Sequence, residues 1–108
     1  LEKNSLSSTV NRIYYGIFYI ISALAVKNQF STSNHSRMIG RFNKNYVRNF
    51  KVKREIGKIV HDAFDKRLKG DYDVLFEFEF EDVSNDLINM KKIVGIIEKL
   101  IKTEEENT

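Results

Sequence analysis

The feature that most constrains this chain is the run Ile13–Val26, fourteen residues with no charged side chain and apolar on nearly every side of a helical wheel. A helix without a polar face needs cover on all sides. The chain has no proline and only five glycines, so little interrupts long helices and little supports a turn-rich β architecture. With 108 residues, 42% apolar and 31% charged, it has the composition of one globular domain around one core. The apolar run is too short to span a bilayer and no signal peptide is legible, so a cytoplasmic protein with no membrane partner is expected. The absence of cysteine removes disulfides and thiolate sites. The first residue is Leu1 rather than methionine, which reads as a trimmed chain.

Periodicity predicts four main helices. The first runs from Ser7 or Ser8 to Lys27, with serines as N-caps and Lys27 at the negative end. The second starts at Ser33 or Asn34 and reaches about Arg48, with Met38, Ile39, Phe42, Tyr46 and Phe50 facing inward. The third covers Lys53 to Lys69, buries Ile56, Ile59, Val60, Ala63 and Phe64, and stops at Gly70. Residues 71–80 alternate with period two from Phe76 but have no second strand to pair with. They read as an extended loop whose phenylalanines tuck onto the bundle. The last helix runs from Glu81 to Lys102 with a seam of Val83, Leu87, Met90, Val94, Ile97 and Ile101, and residues 103–108 form a polar tail that frays. The fold class is all-α, an up-and-down bundle in a single domain over 1–108. Three helices cover the apolar first helix only in part, which points to a missing N-terminal helix or a second subunit.

The net charge of +3 hides a division. Residues 37–70 carry eleven Lys/Arg against three Asp/Glu, and residues 71–108 carry four against eleven. Neighbouring helices that attract one another would have this pattern, and so would a head-to-tail partner contact or a phosphate-binding surface on Arg41, Lys44 and Arg48. Arg67 sits about 20° from Ile56 on the wheel, inside the apolar stripe. A guanidinium there either snorkels out or is paired at a cleft, with Asp71 and Asp73 nearest in sequence. Asn11 and Arg12 precede the apolar run and have Asp71 as a candidate partner on another helix. Tyr14 and Tyr15 read as core residues with hydroxyls at the rim. His35 reads as a cap of the second helix, and His61 as solvated. No spacing of histidines and carboxylates supports a metal, and no glycine-rich loop supports a phosphate-bearing cofactor.

Three segments together resemble one prokaryotic branch of the HEPN family. Asn11-Arg12-Ile13-Tyr14-Tyr15-Gly16-Ile17-Phe18 is similar to its NRxYYAxF helix, and Asn34-His35-Ser36 to its KHS element with Asn for Lys. Ala63 to Tyr72 is similar to its AxxxRxxADY segment, with Gly70 for Ala. The resemblance implies a helical bundle that dimerises, often beside a minimal nucleotidyltransferase in toxin–antitoxin pairs, with RNA or nucleotide ligands. It also places Leu1–Thr9 at the end of a preceding family helix. Many members are metal-independent ribonucleases with an Arg-x(4–6)-His motif, in which arginine stabilises charge on phosphorus and histidine moves protons. Arg67 takes the arginine position, but Tyr72, Asp73 and Val74 follow at the histidine's distances. Arg54 and His61 have a motif-like spacing away from that position. The expectation is therefore a domain acting by protein association, non-catalytic or weakly so. Asn11, Arg12, Tyr15 and His35 would line its cleft. One alternative is a ribonuclease built on Arg67 with Asp71, Tyr72 or a residue from the partner subunit; another is a nucleic-acid-binding module using the basic second and third helices, with Arg41, Lys44 and Arg48.

Overall fold

Leu6, Val10, Ile13, Ile17, Ile21 and Leu24 recur at steps of three and four, and all are buried. They make α1 (Lys3–Lys27) the helix around which the others pack. The computed structural model describes residues 3–72 and 77–106, with side chains for 6–69 and 77–104. Three further helices follow: α2 (His35–Phe42), prolonged by a π-helical turn over Asn43–Val47, α3 (Arg54–Tyr72) and α4 (Phe80–Glu106). Each contributes an apolar face: Met38 and Phe42 from α2, Ile56 and Val60 from α3, Val83, Ile93 and Ile97 from α4. The architecture is all-α, as expected, and no strand occurs among the described residues.

Several boundaries differ from the sequence reading. Helix α1 is already helical at Lys3, ahead of the serines, because Leu6 carries its buried stripe about one turn further. Ser7 and Ser8 lie on its exposed side, and Lys3–Thr9, expected at the end of a preceding helix, belong to α1 itself; Leu1 and Glu2 lie outside the described residues. By length and composition the stretch Leu6–Lys27, longer than the fourteen-residue apolar run, could cross a bilayer. In this fold its Tyr14, Ile17, Ile21 and Leu24 are sealed by the other three helices. Gly70 does not stop α3, which continues to Tyr72. Helix α4 runs on to Glu106 through residues expected to fray. Its seam takes in Ile93 at 0% exposure, while Val94 is only partly buried. Of the phenylalanines expected to tuck in, Phe78 packs against the core and Phe80 is exposed; Phe76 lies outside the described residues.

Both connections out of the first two helical segments use the same turn. Gln29 N–H donates to the Val26 carbonyl and Phe30 N–H to the Ala25 carbonyl, with Gln29 at φ 62°. Phe50 N–H donates to the Val47 carbonyl and Lys51 N–H to the Tyr46 carbonyl, with Phe50 at φ 60°. This is the helix-ending Schellman arrangement, whose left-handed position normally holds glycine. The second turn overturns the place given to Phe50 in the core. The chain reverses there, leaving Phe50 93% exposed, and Val52 takes the buried position.

The charge division has a partial structural answer. Lys66 of α3 pairs with Asp86 of α4 at 2.5 Å, and Lys92 of α4 reaches Glu55 of α3 at 3.9 Å. The first pair joins the basic half to the acidic half, and the second runs the other way.

Candidate functional site

Helix α1 places Asn11, Tyr14, Tyr15 and Phe18 on one side, since residues three and four apart share a face. Helix α3 brings Arg67 against this side. The Arg67 Nε–H donates to Asn11 Oδ1 at 3.1 Å, and its Nη2 donates to the Tyr15 hydroxyl at 3.1 Å. The guanidinium carbon lies 5.1 Å from the centres of both the Tyr14 and Tyr15 rings. A guanidinium inside an apolar stripe is thus held by an amide oxygen, a hydroxyl and two aromatic faces, which offset the loss of water. The contact to Asn11 is one the sequence reading did not foresee. The side chains of Asp71 and Tyr72, and all of Asp73, lie outside the described residues.

The third contributor is His35. Asn34, not His35, caps α2: its Oδ1 accepts from the Arg37 N–H at 2.9 Å. His35 is thereby released from the capping role and turns toward α1. Its ring lies 4.1 Å from that of Phe18 and meets the Tyr15 ring edge-on at 6.1 Å. Its Nδ1 is 2.5 Å from the Tyr14 hydroxyl.

The protonation states follow from burial and from Arg67. Burial, opposed by the positive charge of Arg67, pushes the Tyr14 hydroxyl up to about 12, so it keeps its proton. Burial and then the Arg67 charge hold His35 below its ordinary value of 6.5, so the imidazole is neutral at pH 7. Two neutral groups thus share this contact, and the Tyr14 hydroxyl takes up the Nδ1 side of the imidazole. The Arg67 guanidinium beside them presents N–H groups, which are suited to holding an oxyanion. Among the described residues no group of His, Asp and Glu is placed to hold a metal.

The remaining candidates lie elsewhere. Arg12 is exposed beside the cluster. Arg41 lays its guanidinium over the Phe30 ring at 4.1 Å, Lys44 is exposed on the π-helical turn, and Arg48 lines a groove between that turn and α3. His61 is exposed and lines the same groove. A search along the chain for a histidine after Arg67 could not find His35, which precedes it on a different helix. The available signal was the position of His35 directly after an N-capping asparagine, which left its side chain uncommitted.

A family model described as HEPN domain matches residues 1–106 of this chain. A Thermotoga maritima protein named "UPF0332 protein" is 41% identical over 102 residues, covering 94% of this chain and 77% of that protein. A Methanocaldococcus jannaschii protein that carries the name "putative toxin" is 28% identical over 105 residues, covering 92% of this chain and 71% of that protein. No solved structure matches.

Proposed function

The chain belongs to the HEPN domain family, and on that premise we propose that it is the toxin-like member of a toxin–antitoxin system, one that binds a phosphate-bearing ligand and a protein partner and cuts RNA weakly or not at all. The toxin element of this reading comes from the name of the archaeal relative. One observation carries the binding element: the Tyr14 hydroxyl occupies Nδ1 of a neutral His35. A general base must present an unprotonated nitrogen to the proton it removes. One ring nitrogen of His35 is already taken by Tyr14, and the Arg67 cation beside it favours holding a phosphate oxygen over activating a ribose hydroxyl.

The partner side is part of the same proposal. A homodimer is supported by the exposed apolar side chains of α1, Tyr19 at 66% and Val26 at 61%. The minimal nucleotidyltransferase partner rests on family resemblance, and co-purification from the native host tests it.

The deciding experiment expresses the protein in a bacterial host and follows growth, beside incubation of purified protein with mixed RNA. Growth arrest that Arg67→Ala relieves, with RNA left intact by both proteins, is the expected result. RNA cleavage by the parent that Arg67→Ala and His35→Ala abolish would replace this reading with the ribonuclease one.

A further inference from the structure

From the groove between the π-helical turn and α3 we infer a second binding site, one that takes a single-stranded polynucleotide. Its walls carry Arg48, Lys51, Lys53, Arg54 and Lys58, and among the described residues no acidic side chain lines it. The one acidic residue in this stretch of sequence, Glu55, is directed to Lys92 of α4 at 3.9 Å. Five cations with no internal counter-charge make a surface that replaces the counterions of a phosphate backbone.

The second observation is Phe50, at the same groove. It is 93% exposed and holds the left-handed position of the Schellman turn, at φ 60°. A bulky residue there is strained, and packing does not repay the strain because the ring touches solvent. The turn around it is firmly built: Lys51 and Val52 N–H groups both donate to the Tyr46 carbonyl, and Tyr46 and Val52 are buried. The ring is thus held out on a rigid mount. An aromatic face beside a cationic track is the arrangement on which unpaired bases stack, and a paired duplex has no free base face to offer it.

The groove also leads somewhere. A neighbouring hollow shares Asn43, Gly57 and His61 with it and continues between α2 and α3 to Ser36 and Phe64. Ser36 follows His35, and the Phe64 ring lies 5.8 Å from that of Tyr14. A strand lying in the groove is thereby guided toward the Arg67 cluster, a last step that rests on the phosphate-binding reading of that cluster.

The test is fluorescence anisotropy with a labelled mixed-sequence single-stranded RNA of about 15 nucleotides, the matching DNA and the RNA duplex. Single strands should bind in preference to the duplex, and comparison of RNA with DNA shows whether the 2′-hydroxyl is read. Phe50→Gly should weaken single-strand binding about tenfold or more through lost stacking. The same change should raise the melting temperature, because glycine relieves the left-handed backbone; no purely structural role of the ring predicts both. Replacing Lys51, Lys53 and Lys58 with glutamine should flatten the slope of log affinity against log salt by about 2, at about 0.7 per contact. Unchanged binding by both variants, or tighter binding to phosphatidylserine vesicles than to RNA, overturns the inference. Arg67→Ala and His35→Ala separate the two readings. If they abolish growth arrest while groove binding persists, both stand. If the parent protein arrests no growth yet binds RNA through Phe50, only the function proposal falls.

Discussion

Burial holds the Tyr14 hydroxyl near 12 while the charge of Arg67 pulls the other way, so this one ring links the cation on α3 to the imidazole at the start of α2. Two pH effects follow. Between its lowered folded value and 6.5, the unfolded chain takes up a proton that folded His35 refuses. Stability therefore rises with pH through that window and is lost on acidification. Folded Tyr14 keeps its proton beyond 10, so its contribution is complete below pH 10 and is lost as pH rises through about 12. Urea midpoints measured across pH should show both arms, and Tyr14→Phe should reduce the alkaline one to the part that buried Tyr46, also raised above 10, contributes. Arg67→Ala should raise the His35 titration point in an NMR experiment, since a neighbouring positive charge has gone. A titration point that stays where it was would separate the two residues electrostatically. None of this coupling is visible along the chain, where Arg67 had Asp71 and Asp73 as its nearest candidates. Asn11 meets Arg67 because α1 and α3 run side by side.

Within the helices, the glycines separate local preference from packing. Gly95 lies in the interior of α4, and a methyl group there would meet nothing within 4 Å. Gly95→Ala should stabilise the fold by about 1 kcal/mol through helix propensity alone. Gly57 in α3 is different: a Cβ would come within 2.9 Å of Val47 Cγ2, a branched side chain on the π-helical turn with little room to move. Gly57→Ala should cost about 1–3 kcal/mol despite the better propensity, because the two segments must separate. Thermal melts of the two variants should move in opposite directions. Gly16 stands between these cases, since its neighbour is the flexible end of Met90, with Sδ 3.1 Å from a Cβ. That agrees with the alanine of the family pattern at this place. The amphipathic stripes of α2 and α3 were legible because Met38, Phe42, Ile56 and Val60 recur at helical spacing. The end of α2 was not. A π-helical turn, with the Arg48 N–H donating to the Asn43 carbonyl five residues back, shifts the phase there, and Phe50 leaves the stripe.

For the molecule as a whole, α1 packs against each of the other three helices, so its buried face carries much of the stability. Leu24, at 0% exposure, marks that face, and Leu24→Ala should cost about 2–5 kcal/mol in urea unfolding. The opposite face of the same helix bears Tyr19 and Val26, and the proposed homodimer should use it. Light scattering should show a dimer that Tyr19→Asp and Val26→Asp each convert to a monomer with unchanged helical content. A parent protein that is already monomeric would remove the dimer from the proposal. The sequence alone determined that this chain is helical and, for most of its length, which faces of its helices turn inward. Those properties follow from periodicity within one helix at a time, and periodicity is local. Only the tertiary structure decided which histidine meets Arg67, where the basic residues converge on a groove, and that Phe50 points into solvent. Each of these depends on how three separately legible helices are rotated against one another, and on two left-handed turns at residues other than glycine, which no spacing along the chain records.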